Sequence, residues 1–482
     1  MQFNSYEFIF FFLPISVILY FGGNRIKPAI GKIVIIIASL FFYSWGRLNM
    51  LIYLGISILV NYTLTLLIIR LKNHKRIIVI LAVAANVGFL LYFKYLGFIA
   101  FNISRVLRHS AEFHEIILPL GISFYTFQQI AYIVETSNGN ISSAKLLDYL
   151  AYILFYPKLV MGPITDPVSF LSQLNDSKNI KINTLNLACG IKIFSLGLAK
   201  KVILADTFAK AVTWGYSNFA SATAMDCMLL VLFYSFEIYF DFSGYSDMAI
   251  GVSKMMNIEL PMNFDSPYKA ISIRDFWKRW HVSLTSFLTK YIYIPLGGSR
   301  KGAFFTYLNT MIVFIVSGIW HGANWTFILW GLLHGVFSCL GRMFEKIENK
   351  IFMPIRWLCT FGIVSVLWLL FSVESIGQWK AILYKILLMQ DTSISEGMVS
   401  TFNLIESRFI YDVFRLNFLS ENVRGFSMVV FIFVACFISF IPENNYRKKD
   451  KLGISSLILS SLAFIWGVLC LGAESTFVYY GF

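Results

Sequence analysis

Two histidines, His281 and His321, have the most unusual surroundings of the 6 in this chain. We expect RDFWKRWH, which combines basic residues with two tryptophans, to form one polar helical segment that ends at His281. His321 lies in WHGANW at the end of an apolar segment. An imidazole with an ordinary pKa of about 6.5 can exchange a proton near neutral pH. Both residues are therefore candidates for proton transfer, and because they are far apart in sequence, only the fold can bring them together.

A polar, basic and glycine-rich loop, KYIYIPLGGSRKG, lies between these two runs and is bounded by apolar segments. A bilayer normally excludes such residues unless they line a cavity or find partners. We therefore expect the stretch from Arg274 to His334 to contain the functional centre.

Further polar side chains interrupt the apolar segments of the middle of the chain. One segment holds two glutamines and an acid, Gln128, Gln129 and Glu135. Another holds Glu237 and Asp241, four residues apart on one predicted helical face, and then Asp247 beyond a predicted glycine turn. Each acid alone is explained as well by a structural hydrogen-bond network, but as a set they predict a wet, polar interior.

Composition predicts an all-α polytopic membrane protein. The chain has 482 residues, of which 57% are hydrophobic and only 14% charged, and its mean hydropathy is +0.69. The first apolar run has no preceding Lys or Arg and follows Glu7, so we expect a retained span rather than a cleaved signal. The net charge of +14 is typical of Lys and Arg that set membrane orientation, and we do not expect nucleic-acid binding.

No metal site is expected from the cysteines or histidines. The six cysteines are scattered among apolar residues without a CxxC pattern, so we predict that they are packed thiols. His334 lies thirteen positions beyond His321, about 220° around a helix, so the two would not share a face as ligands do.

The apolar runs give about a dozen segments. Several are too short or too broken to be simple spans and are candidates for re-entrant or interfacial segments. Basic residues in the loops after the first and third spans, and in NNYRKKDK before the last span, predict that these loops are cytoplasmic. Both termini are then expected on the extracytoplasmic side, together with the polar stretch from Asp391 to Arg424.

Five sequence blocks together resemble the signature run of the membrane-bound O-acyltransferase family: DFSGYSDMAIG, NFDSPY, RDFWKRWHVSL, YIYIPLGGSRKG and SGIWHGANWTFILWGLLHG. The resemblance is strongest to the bacterial membrane subunits of alginate and peptidoglycan O-acetylation. It covers about Phe41 to Gly335, with the signature run at about 241–335, and it implies one integral membrane domain over 1–482.

The resemblance implies a ring of tilted membrane helices around a central tunnel. By likeness of the motifs, His321 is the essential histidine inside the tunnel, and His281 occupies the position of the family's second histidine or asparagine. Acyl transfer to a hydroxyl needs a base to accept its proton, a role expected for His321, and His281 could orient a substrate or the other histidine. In the bacterial systems the membrane subunit, in the cytoplasmic (inner) membrane, passes an acyl group outward from a cytoplasmic thioester. A separate extracytoplasmic SGNH-type transferase then modifies the polysaccharide. Acetyl-CoA is the expected donor, with no permanently bound cofactor.

Two further groups of residues are candidates for binding. Substrate contacts are expected from Asn324, Trp277, Trp320, Asp241 and Gln128, with Gly318 and Gly322 allowing close backbone approach. A coenzyme phosphate at the cytoplasmic mouth could be attracted by basic residues, Arg274, Lys278, Arg279, Arg300 and Lys301. Anchoring at the membrane interface explains these basic residues equally well.

Other functions remain open at the level of sequence. A related branch of the family transfers D-alanine from a carrier protein to teichoic acid. A polytopic transporter would also use charged residues and broken spans, but it would distribute paired sites over two halves, whereas here the unusual residues gather in one run. The final glycan acceptor is not specified by the sequence.

Overall fold

The computed structural model describes residues 1–107, 117–404, 412–413, 415, 425–472 and 477. Within this part every regular element is a helix, which confirms the all-α prediction. Of the predicted polar stretch from Asp391 to Arg424, residues 405–411, 414 and 416–424 lie outside the described residues.

Twenty-one α-helices are described. In chain order they are α1 (Leu13–Ile26), α2 (Pro28–Ser44), α3 (Met50–Arg70), α4 (Lys75–Leu107), α5 (Ile122–Ser137), α6 (Leu146–Leu154), α7 (Tyr156–Leu159), α8 (Pro167–Leu174), α9 (Thr184–Ala199), α10 (Asp206–Ser217), α11 (Ala224–Met255), α12 (Ile273–Arg279), α13 (Val282–Leu288), α14 (Ala303–His321), α15 (Trp325–Met343), α16 (Glu345–Glu348), α17 (Met353–Ser372), α18 (Ile376–Leu388), α19 (Glu396–Ser400), α20 (Phe426–Phe440) and α21 (Ile454–Leu469).

Seven of the described helical segments are long and apolar enough to cross a membrane. They contain α1 with the π-helical turn before it, α3, α4, α11, α14, α15 and α17. Three shorter apolar helices, α2, α20 and α21, accompany them. Their lipid-compatible faces carry exposed Phe, Ile and Leu side chains, as a polytopic membrane protein requires.

Two local predictions were wrong. The glycine turn expected before Asp247 does not form, because α11 runs without a break through Gly244. A Cβ atom at Gly244 would lie only 2.8 Å from the Gly197 carbonyl oxygen, so this glycine serves close helix packing. The run RDFWKRWH is not one helix either, because α12 ends at Arg279 and His281 has a left-handed backbone with φ of 46°.

The described chain divides into two compact units. The first comprises Met1–Ser195, Tyr245–Met262 and Lys449–Ser461, and the second comprises Leu196–Gly244, Asn263–Lys448 and Leu462–Phe482. The first unit has an aromatic core in which Phe8, Phe12, Phe42 and Tyr156 pack with ring centroids 5.1 to 6.4 Å apart. The second unit contains all three histidines of the predicted functional stretch.

Two buried lysines of the first unit hold the basic loop that precedes α21. The Lys254 ammonium, near the end of α11, lies 2.6 Å from an Asp450 carboxylate oxygen. Lys192 of α9 donates to the backbone carbonyls of Lys449 and Lys451. Because a buried charge is costly unless it is paired, these contacts fix the loop against α9 and α11.

In the second unit, residues that follow α18 are bonded to the turn that precedes α11. Both carboxylate oxygens of Asp226 accept hydrogen bonds from Ser395, and the Thr223 hydroxyl donates to the Ser393 carbonyl. The Ala224 N–H donates to the Asp391 carbonyl. The start of the predicted extracytoplasmic stretch is therefore attached to the first turn of α11.

The positive-inside rule predicts which side of the membrane each loop faces. A reporter fused after Phe482 should be active on the extracytoplasmic side, and one inserted between Lys72 and Lys75 should report the cytoplasm. The measurement is a paired alkaline phosphatase and fluorescent-protein fusion assay. The reversed pattern would contradict the assignment of the basic loops to the cytoplasm.

Candidate active site

His321 lies at the turn of a tight helical hairpin. It is the last residue of α14, and α15 begins three residues after the backbone becomes extended at Gly322. The two helices touch at glycines: a Cβ atom at Gly318 would lie 2.4 Å from the Phe327 carbonyl oxygen. Such a distance leaves no room for a side chain, so the glycine sets how closely the helices approach and where His321 is placed.

Aromatic rings surround the His321 imidazole, which is only 4% exposed. The ring centroids of Trp320, Trp330 and Phe371 lie 4.7, 5.3 and 5.0 Å from that of His321, all in edge or tilted arrangements. These rings exclude bulk water from the histidine. A proton taken up by this imidazole would be shielded from solvent.

His281 is buried at the start of α13. Its Nδ1 lies 3.0 Å from the side-chain oxygen of Asn263, and its ring packs edge-on against Phe242 at 4.8 Å. The chain turns sharply here because Asn263 also accepts from the Ser283 hydroxyl and bonds the Val282 N–H with its own carbonyl. Burial lowers the pKa of His281 to about 3, so the imidazole is neutral at physiological pH.

Trp320 is the residue that the two predicted histidines share. Its indole lies 6.3 Å from the His281 ring and 4.7 Å from the His321 ring, between centroids. The fold therefore brings together two motifs that are forty residues apart in the chain. Their catalytic roles stay predictions.

A third histidine, His334 of α15, belongs to the same aromatic cluster. It is fully buried, and the Trp277 indole N–H donates to its Nδ1 at 3.1 Å. The Trp330 ring contacts both His334, at 4.8 Å, and His321, at 5.3 Å. Nothing local in the sequence indicates this arrangement, because Trp277 and His334 are 57 residues apart. Among the described residues no group of three His, Cys, Asp or Glu side chains could hold a metal.

A cavity of about 320 Å³ opens beside this cluster, between α12, α13, α14 and α15. Three cationic side chains line it, Arg274, Lys278 and Arg342, and the remaining wall is mostly apolar with several hydroxyl groups. Trp277 and Phe314 form part of the wall, and Ser317 lies one helical turn before His321 on α14. The cavity thus combines a cationic group of residues with an inner wall near the histidine.

The predicted basic residues divide into two sets. Arg274 and Lys278 line the cavity, but Arg279, Arg300 and Lys301 are not among its lining residues. The Arg279 guanidinium is bonded to the Asp275 carboxylate and the Asp265 carbonyl. Arg342 is a lining residue that the sequence analysis missed, although a cation in the last turn of a predicted span was a usable signal.

The other predicted substrate contacts have partners within the protein. Asn324 caps α15, since its side-chain oxygen accepts from the Thr326 N–H, and its amide donates to the Glu374 carbonyl. Asp241 forms a buried ion pair with Lys201 at 2.7 Å. Gln128 lies in the first unit, where its amide oxygen accepts from Lys158 Nζ at 2.7 Å. Contact of these residues with substrate stays a prediction.

Membrane-crossing helices around a buried histidine cluster, with a partly cationic cavity beside it, define a membrane-embedded enzyme site. The model of the membrane-bound O-acyltransferase family matches residues 37–377, and the chain belongs to this family. It is therefore an O-acyltransferase.

Curated relatives agree with the family. The chain is 34% identical over 519 aligned residues to a peptidoglycan O-acetyltransferase of Helicobacter pylori, covering 100% of this chain and 97% of that protein. It is 36% identical to the probable alginate O-acetylase AlgI of Pseudomonas aeruginosa over 78% of this chain and 73% of that one. A teichoic acid D-alanyltransferase of Bacillus subtilis is 29% identical over 52% of this chain and 66% of the relative.

Substitution of His321 tests its assignment as the base. His321→Ala should lower acyl transfer by at least about 10²-fold, the usual contribution of a positioned base, with normal expression and membrane insertion. The measurement is glycan acetylation in cells whose levels of the variant have been quantified. His74→Ala, at an exposed position, is the control. His281→Ala should leave more activity, and full activity of His321→Ala would rule out His321 as the base.

Proposed function

We propose that this enzyme moves an acetyl group from a cytoplasmic thioester, acetyl-CoA, across the membrane for O-acetylation of a cell-wall or extracellular polysaccharide. The names of the relatives support acetyl transfer toward peptidoglycan or an alginate-like polymer. The observation that carries the proposal is the cavity, which has three cations in its lining and extends along α14 to within one turn of His321.

The composition of the cavity suits a thioester donor that carries phosphate. Phosphate groups are recognised by Arg and Lys, and the cavity lining supplies Arg274, Lys278 and Arg342. The largely apolar remainder, with its hydroxyl groups, suits a pantetheine arm, which alternates methylene and amide groups. Such a donor would place its phosphates at the cations and its thioester toward Ser317.

The orientation of this cavity agrees with a cytoplasmic donor. Arg342 lies in the last turn of α15, at the end of the hairpin remote from His321, and Arg300 and Lys301 precede α14 at that same end. By the positive-inside rule, this concentration of cations marks the cytoplasmic side. His321 would then lie deeper in the membrane, where an acceptor from the other face could reach it.

His321 would act on the acceptor hydroxyl. Its imidazole takes the hydroxyl proton as the oxygen attacks the thioester carbonyl. The C–S bond then breaks, and the imidazolium returns the proton to the sulfur, which leaves as a thiol. The surrounding rings keep water away from the thioester. His281, neutral and held by Asn263, would orient the acceptor or Trp320 and would not exchange the proton itself.

The acceptor must be slender. His321 is 4% exposed, and reacting atoms must approach to about 3 to 3.5 Å, which a folded glycan strand outside the membrane cannot do. A serine or tyrosine hydroxyl on a terminal segment of an extracytoplasmic SGNH-type partner could enter. That partner would then transfer the acetyl group to the polymer.

Transfer of D-alanine from a carrier protein is the second candidate, because teichoic acid D-alanyltransferases are among the relatives. A carrier-bound donor also presents a phosphopantetheine arm, so the cavity alone does not separate the two. The two donors are distinguished by which of them supports transfer in reconstitution.

Reconstitution tests the relay. Purified protein in liposomes with labelled acetyl-CoA inside should label glycan outside only when the candidate SGNH-type transferase is also outside. A parallel reaction with D-alanyl carrier protein inside should give no transfer. Efficient labelling of glycan without the transferase would contradict the relay and make this chain the complete O-acetyltransferase.

Charge removal in the cavity tests the donor site. Lys278→Ala and Arg342→Ala should each raise KM for acetyl-CoA about tenfold, because each removes one charge-assisted contact to phosphate, with a smaller effect on kcat. Arg300→Ala is the matched control, since this exposed cation does not line the cavity. Equal effects of all three variants would indicate general electrostatic attraction and argue against a phosphate site in the cavity.

A further inference from the structure

Trp277 forms part of the wall of the cavity, and its position is fixed from behind by His334. The indole N–H donates to His334 Nδ1 at 3.1 Å, and the two rings meet edge to face at 89° with centroids 5.0 Å apart. Phe314, also in the cavity wall, packs against the Trp277 ring at 5.3 Å. Trp277 is therefore oriented by one directional bond and by ring packing.

The hydrogen bond defines the state of His334. An indole nitrogen can only donate, so Nδ1 must be an acceptor, and the neutral ring carries its proton on Nε2. Protonation of Nδ1 would replace attraction with repulsion between two N–H groups. His334 is fully buried, so this bond is made without competition from bulk water.

His334 is also linked to His321, through the Trp330 ring that contacts both. Trp330 contacts Trp277 at 5.5 Å, His334 at 4.8 Å and His321 at 5.3 Å. Movement of the Trp277 indole would thus alter both the shape of the cavity and the packing of a ring that touches the predicted base.

We propose that His334 is a positioning residue, which holds Trp277 in place as the wall of the acyl-donor cavity by accepting its indole N–H. The assignment of the cavity to the acyl donor rests on the proposed function. The role of His334 in fixing the wall does not, and the two can be tested separately.

Substitutions at position 334 separate the hydrogen bond from packing. Asn places an oxygen near the position of Nδ1 and should preserve the bond, whereas Leu and Phe fill the space without an acceptor. His334→Leu, His334→Phe and Trp277→Phe should each raise KM for acetyl-CoA about fivefold, the factor that corresponds to one neutral hydrogen bond, and His334→Asn should stay close to the native KM. Leu332→Ala, at a partly exposed position of α15, is the control.

The double variant shows whether the two residues act together. Once Trp277 is Phe, the bond no longer exists, so His334→Leu should add no further change in KM. Additive effects would mean that His334 acts independently of Trp277, and this would overturn the proposal. An equal loss in His334→Asn and His334→Leu would also overturn it, because it would show that only the imidazole's shape matters.

Cys339 gives a readout that needs no donor. It lines the same cavity as Trp277, so its alkylation by N-ethylmaleimide reports the shape of the wall. The other five cysteines, Cys189, Cys227, Cys359, Cys436 and Cys470, would be replaced by Ser. Release of the indole in His334→Leu, and its replacement by a smaller ring in Trp277→Phe, should each accelerate alkylation about fivefold, while His334→Asn keeps the native rate.

The two experiments distinguish the proposals. If the native protein does not use acetyl-CoA but the alkylation pattern is as expected, the donor assignment fails and the role of His334 stands. If acetyl-CoA is used but alkylation of Cys339 is the same in all variants, the role of His334 fails and the donor assignment stands.

Discussion

The cost of burying polar groups away from water governs how this enzyme is built. Lys201 lies between the carboxylates of Asp206 and Asp241 at 2.7 Å from each, and His281 and His334 each have a hydrogen-bonding partner on a different segment. In a hydrocarbon environment a lost partner is not replaced by solvent, so these bonds fix side-chain orientation as well as contributing stability. These buried bonds make the site rigid.

Close packing of α14 and α15 fixes the position of His321. Because Gly318 and Gly331 each face a backbone carbonyl oxygen at a distance that excludes a Cβ atom, the hairpin has one tight arrangement. His321 at its turn is then presented to Trp320, Trp330 and Phe371 at a fixed depth. Backbone packing and ring packing therefore converge on the same imidazole.

The sequence predicted the parts of the structure that depend on local composition or on recognisable motifs. Apolar runs gave the membrane-crossing helices, and the resemblance gave the family and the two candidate histidines. What it did not predict depends on contacts between distant segments. The left-handed turn at His281 is bonded to Asn263, Gly244 packs closely against Gly197, and the bond between Trp277 and His334 spans 57 residues.

The buried lysines of α9 and α11 have a consequence for biogenesis. Lys254 is paired with a carboxylate 196 residues further along the chain, and Lys192 bonds carbonyls more than 250 residues away. At about 5 to 20 residues per second, a ribosome needs about 10 to 40 s to complete that distance. During that interval Lys254 lacks its closer carboxylate partner, Asp450, and Glu259, 3.5 Å away in the folded structure, is the carboxylate already synthesised. Until Asp450 is synthesised, the Lys254 ammonium at the end of α11 must therefore be stabilised by Glu259 or by water at the membrane boundary.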